Sequence, residues 1–222
     1  SYCDVNKIDF KIINSVKSYD DTTLFCPAGM QQFKELYKDE NYVGTLSNIQ
    51  SCIRLNDLEE IGDGTHLLFF DMLGFFSFRE WDISDTIDFW MGFLNKISIY
   101  PDYVTIHPNK PEWVEYYSKY DIEVRFDDEC IWSDGEIGGY CTEFYKNDIE
   151  IGNIVNTLEV SIDCGFGLDR LIMLLTNTFK SKEDTLKESV YKIIESGFIP
   201  SNSKQGYVLR KLLRECYKNN II

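Results

Sequence analysis

No apolar stretch in this sequence approaches the roughly 18 residues needed to cross a bilayer, which excludes a membrane span. Histidine is nearly absent, with only His66 and His107. None of the seven cysteines (Cys3, Cys26, Cys52, Cys130, Cys141, Cys164 and Cys216) are spaced C-x-x-C, so a structural zinc site is not expected. There is no P-loop, no G-x-G-x-x-G, and no Ser/His/Asp or Cys/His arrangement for covalent catalysis. The opening Ser1-Tyr2-Cys3-Asp4 has neither a basic leader nor an apolar core, so no signal peptide is expected. An odd, scattered cysteine set without a leader predicts a reducing cytoplasm and mostly buried free thiols. Repeats and low-complexity tracts are also missing.

Cations are scarce. Lys and Arg number 22 against 37 Asp and Glu, a net charge of −15. Residues 201–222 hold five cations against one acid, Glu215, so the other 200 residues carry a net −19. Such a body repels phosphate backbones at long range. Contact with a polyanion then falls to a local cationic pocket or to the basic C-terminal segment. A solvated, solubilising surface is the ordinary reading of the acidity.

What is present suffices for a packed domain. The 222 residues are 44% hydrophobic and 15% aromatic. Strand patterns fall at 49–55, 67–78, 103–107, 141–145, 149–155 and 157–162. Helical patterns fall at 30–38, at 84–95 with Ser84 as N-cap, at 112–120, 168–175, 182–196 and 205–219. Residues 5–17 fit either a helix or a strand. Consecutive strands with helices kept apart predict an α+β fold, an antiparallel sheet flanked by helices. A boundary is expected near 180, with 1–180 as a sheet-bearing domain and 181–222 as a short helical segment.

Few residues stand out for chemistry. Arg54 projects from an otherwise neutral strand, either as a rim arginine paired with an acid or as a planar clamp for phosphate or carboxylate. Asp57 lies in the acidic loop beyond it. Glu150 and Asn153 offer hard oxygens suited to Mg²⁺, but strand alternation puts them on opposite faces unless the strand bulges. In Asp163-Cys164-Gly165-Phe166-Gly167-Leu168-Asp169-Arg170, glycines permit a tight turn into a helix start where backbone N–H groups meet an anion. Arg170 sits in the first helical turn, unfavourable for a cation unless it partners a phosphate or a ring. Asp163, at the mouth of that turn, suits an ammonium group. A glycine turn with a surface arginine is the plain alternative. Trp132 and residues 135–139 read either as a pocket wall or as an anchored loop. His66 has no evident acid–base partner in the sequence.

Several runs resemble the catalytic core of the alanyl-tRNA synthetases, a class II aminoacyl-tRNA synthetase family. They are Thr22 to Lys34, Gln50 to Arg54 with Asn56 to Gly62 (motif 2), Leu68 to Phe78, Cys141 to Phe144, Glu150 to Val155, and Asp163 to Arg170 (motif 3). Ile199 to Asn202 with Gly206 to Arg210 resembles the opening of the family's helical tRNA-recognition region. These ordered matches cover most of the chain. The resemblance implies ATP-dependent activation of a small, alanine-like amino acid to an aminoacyl-adenylate. Arg54 and Arg170 would be catalytic, gripping the phosphates. Phe69 or Phe70 would stack on adenine, with Asp57, His66 and Met72 completing the ATP set. Glu150 and Asn153 would hold Mg²⁺. Asp163, Trp132, Asn153 and Gly165 would hold the amino acid. The acceptor would be tRNA, a carrier protein or a small-molecule amine, and the resemblance admits a homodimer. A catalytically silent paralogue that binds ATP and amino acid is the alternative. The chain departs from the family pattern in lacking the insertion after the motif 2 arginine, in Lys17 for the motif 1 proline, in His66-Leu67 for a His-His pair, in a shortened loop before Cys141, and in Gly152 where the family carries a tryptophan.

Overall fold

The computed structural model describes residues 2–55, 61–63 and 65–221. After helix α1 (Tyr2–Val5) come strand β1 (Asp9–Ile13), a 3-10 turn (Gly29–Phe33) and α2 (Lys34–Lys38). Next are β2 (Gly44–Ile53), β3 (Phe69–Phe78), α3 (Ile83–Lys96), β4 (Tyr103–Ile106), α4 (Trp113–Tyr117), β5 (Glu123–Phe126) and β6 (Ile131–Ser133). The chain ends with β7 (Gly138–Lys146), β8 (Ile149–Thr157), β9 (Ser161–Gly167), α5 (Leu168–Thr176), α6 (Lys182–Glu195) and α7 (Lys204–Lys218). The strands form one sheet in the order β1-β2-β3-β9-β8-β7-β4-β5, with β6 added on β7. The β4–β7, β6–β7, β7–β8 and β8–β9 ladders are antiparallel. β4 and β5 pair in parallel, joined by a crossover through α4, so the sheet is mixed rather than purely antiparallel.

Local chemistry explains most boundaries. Ambiguous residues 5–17 yield β1. The α3 N-cap is Asp82 rather than Ser84, its carboxylate accepting from Asp85 N at 2.8 Å. α6 opens on a capping box in which Ser181 and Asp184 satisfy each other's backbone. β5 and β6 escaped sequence reading because they are short and mostly exposed.

The chain divides into two compact units. The first holds residues 1–11, 32–48 and 73–167. Here one face of β7-β8-β9 carries Thr142, Ile154 and Cys164 in one row and Phe144, Gly152 and Phe166 in the next. α3 covers that face, with Trp90 stacked on Phe166 at 3.8 Å. From α4, the Tyr117 hydroxyl shares a 2.8 Å hydrogen bond with Thr142. A Cβ at Gly152 would fall 2.3 Å from the Phe166 ring and 2.8 Å from the Gly165 carbonyl oxygen, so a side chain here requires a shift of both neighbours.

The second unit holds residues 12–31, 49–72 and 168–222. Its core gathers Val16, Phe25, Ile53, Leu68 and Phe69 with Leu186, Val190, Ile193, Leu209 and Leu212 of α6 and α7. Val16 N donates to Ser196 Oγ at 3.0 Å, and Gln205 Nε2 donates to Leu24 O at 2.9 Å. The helical segment 181–222 therefore shares its core with early parts of the chain. The division into units does not follow the boundary expected near 180.

Candidate active site

In the second unit, Arg54 directly follows β2 and is exposed. Its backbone N donates to Leu68 O at 3.1 Å, its Nε donates to Pro27 O at 3.1 Å, and its guanidinium lies 5.1 Å from the Phe70 ring centre. No carboxylate among the described residues pairs with it; the acids at 57, 59 and 60 lie outside them. A guanidinium held through Nε and one ring face keeps its terminal N–H groups for an anion.

β3 sorts the expected nucleotide residues by face. Phe70 and Met72 share one face and are half-buried. Phe69 points the other way into the core, is only 5% exposed, and lies under Lys192. Burial therefore corrects its expected role: Phe69 is a core residue, and of the two stacking candidates Phe70 has the available ring. Next along β3, Asp71 accepts from Ser51 Oγ at 2.7 Å, and its own N donates to Asp169 at 2.7 Å. Asp169 also pairs with Lys180 at 2.7 Å. These contacts pin the start of α5, whose first turn carries half-buried Arg170, against the strand that faces Arg54.

His66 does have an acid partner. Asp63, three residues earlier, accepts from the backbone N of Thr65 and of His66 at 2.8 Å each and pairs with His66 Nδ1 at 2.5 Å. Burial opposes the ionised form of Asp63, but the bonds from His66 and Thr65 win and hold its carboxyl well below the usual range. The signal missed in the sequence was this Asx-type turn. Asp57 lies outside the described residues.

In the first unit, the face of β7-β8-β9 opposite α3 carries Cys141, Val155 and Asp163 in one row and Glu143, Asn153 and Gly165 in the next. Glu150 joins them through a bulge: Phe144 pairs with Gly152 but Tyr145 pairs with Glu150, leaving Ile151 extra. That one-residue slip turns Glu150 onto the Asn153 face. Glu150 and Asn153 therefore share a face, which plain alternation would not allow. Trp132 packs on Cys130, Cys141 and Val155 at the end of this face.

Asp163 is 7% exposed, and among the described residues nothing hydrogen-bonds or ion-pairs with its carboxylate. Burial, and then the negative charge of Asp134, push its pKa up to about 7. Asp134 is itself paired with Lys34 at 2.8 Å, and Glu136 with Lys38 at 2.8 Å, so two lysines anchor the β6–β7 turn. A buried acid without a countercharge suits a cationic ligand. Sequence reasoning missed Glu143, half-buried in the middle of this face. Its signal was alternation with Cys141 along β7.

The sequence model of the family described as tRNA synthetases class II (A) matches residues 10–146, more than half of the chain. Alanine–tRNA ligase of Chlamydia muridarum is 29% identical over 88% of this chain and 31% of its own length. The Francisella tularensis subsp. novicida enzyme of the same name is 28% identical over 90% of this chain and 32% of its own. The chain thus spans about a third of the length of these curated relatives. Among solved structures, a pyrrolysyl tRNA synthetase of Desulfitobacterium hafniense matches with TM-score 0.43 and 17% identity, over 69% of this chain and 49% of that one. Among the described residues no helix is long and apolar enough to cross a membrane. Given the extent of the family match, this chain belongs to the class II tRNA synthetases.

Proposed function

We propose that this chain activates a small, alanine-like amino acid with ATP, giving an aminoacyl-adenylate and pyrophosphate. The observation that carries the reading is Asp163, a buried carboxylate with no countercharge among the described residues, on the same strand face as Asn153 and Gly165. Its ionised form holds the substrate ammonium, and Trp132 bounds a small side-chain space. Arg54 steadies the α-phosphate while the amino-acid carboxylate attacks it, and Phe70 and Met72 flank the adenine. Arg170 serves the remaining phosphates. Negative charge gathers in the transition state, so positioned cations carry most of the rate enhancement. Glu150 and Asn153 are the residues that would hold Mg²⁺, which when bound neutralises phosphate charge.

Pyrophosphate exchange with alanine, glycine and serine tests the reading. Exchange with at least one of them is expected, and Arg54→Ala should lower it by about 10²–10³-fold. An Arg54→Ala protein with full exchange would overturn the assigned role. The acceptor is tRNA, a carrier protein or a small amine, and tRNA binding that weakens with salt would select the first. A silent ATP- and amino-acid-binding paralogue is favoured by one feature, the missing insertion after Leu55. Calorimetric ATP binding without exchange for any of the twenty amino acids would select it.

A further inference from the structure

We propose that Cys130, Cys141 and Glu143 form a binding site for one borderline-soft divalent cation of the zinc class. Among the described residues these three side chains are the group whose ligating atoms all lie within 4.8 Å of one another. Cysteine spacing concealed the site, since eleven positions separate Cys130 from Cys141 in the chain. The β6–β7 ladder brings them together. Ile131 pairs with Tyr140, and one step further Cys141 N donates to Cys130 O at 3.0 Å, so the two residues face each other across the strands. Glu143 follows on the same face of β7.

The donor set favours a metal over a simple thiol pair. Both cysteines are free and buried. Cys141 Sγ lies 3.7 Å from Glu143 Oε1, while tetrahedral zinc, with Zn–S near 2.3 Å and Zn–O near 2.0–2.2 Å, sets sulfur and oxygen about 3.5 Å apart. That pair already stands near the separation a shared ion requires, and the remaining pairs lie within 4.8 Å. The surrounding shell is also built. The Tyr145 hydroxyl donates to Glu143 Oε2 at 2.7 Å and leaves Oε1 turned to the sulfurs, while Cys130 Sγ lies 2.9 Å from Thr105 Oγ1. No lysine, arginine or histidine among the described residues pairs with Glu143, and Glu150 and Asp127 add negative charge around it. A disulfide would join the two sulfurs and leave that carboxylate without a countercharge. Two thiolates and a carboxylate match zinc or cobalt rather than magnesium, which prefers oxygen alone. The thiol protons leave to solvent on binding.

Titration of the reduced chain with Co²⁺ in excess Mg²⁺ tests the site. One equivalent should bind with a sulfur-to-cobalt charge-transfer band and tetrahedral ligand-field bands, and one equivalent of Zn²⁺ should displace it. Cys130→Ser and Cys141→Ser should each abolish the charge-transfer band. Tyr145→Phe should weaken binding by about tenfold, and Glu143→Gln by more. These two near-isosteric variants keep the test decisive if a thiol variant does not fold. Absence of the band in the unmodified chain would overturn the site, as would its survival in the Cys130→Ser/Cys141→Ser double variant. So would conversion of the pair to a disulfide, read as a mass loss of two hydrogens, in place of bound metal. The readout involves neither ATP nor amino acid, so it stands or falls apart from the adenylation reading.

Discussion

The two units present charge in opposite ways. In the second unit Arg54 stands exposed, steadied by one carbonyl and one ring face, and the helix bearing Arg170 is tied down through its neighbour Asp169. In the first unit the acid is buried: Asp163 sits in a strand, and desolvation pushes its pKa up to about 7. They also differ in construction. The first unit's candidate face comes from three consecutive strands closed by short turns. The second unit's core is closed between Val16, Leu68 and Leu209, far apart in the chain. An exposed cation can be presented by a scaffold drawn from scattered segments. A buried acid needs a face on which each neighbour is fixed by register.

The difference in construction gives the largest expected effect. Leu209→Ala, in the fully buried centre of the second unit's core, should lower unfolding free energy by about 2–5 kcal/mol. Denaturant unfolding reads this directly. A loss below about 1 kcal/mol would mean that α7 is not integral to that core. A smaller effect probes the first unit. Gly152→Ala sets a methyl against the Phe166 ring and should cost about 1–3 kcal/mol, with Phe166→Leu in the same chain recovering part of it. If the double variant is no more stable than Gly152→Ala alone, the two positions are not sharing one space.

The smallest effect per step concerns pH. The Asp163 pKa is raised in the folded chain, so the folded state holds the extra proton. Stability is fully present below the ordinary carboxylate pKa and declines as pH rises toward about 7. The slope within that window is about 1.4 kcal/mol per pH unit. Asp163→Asn should remove the slope, so that its melting temperature gains on the parent between pH 5 and pH 7.5 while amino-acid binding is lost. Parallel pH profiles for the two proteins would show that Asp163 is not a buried, uncompensated acid, and the contrast between the units would lose its basis.

Much of the first unit was legible in the residues themselves. Alternation in Cys141 to Tyr145 and Ile149 to Val155 marks the strands, because a strand with a distinct face on each side must repeat every two residues. The same rule separated Glu150 from Asn153, and only the extra residue at Ile151 reunites them. In the second unit the hydrophobic run at Leu67 to Phe78 marked a strand, yet nothing local told Phe69 from Phe70. That depended on which face α6 and α7 cover. His66 and Asp63 were three residues apart in plain view, but a loop reading carries no geometry for an Asx turn.

The sequence by itself determined the main strands and helices and the excess of negative charge, because these follow from residue type and nearby spacing; the family came from the resemblance of whole runs, and Arg54, Asp163 and Arg170 stood as candidates. Tertiary structure alone decided that Cys130 faces Cys141, that Glu150 shares a face with Asn153, and that 181–222 closes a core begun at Val16. Each of those depends on ladder register or on burial between distant segments, and neither is fixed by the identity of any single residue or its immediate neighbours.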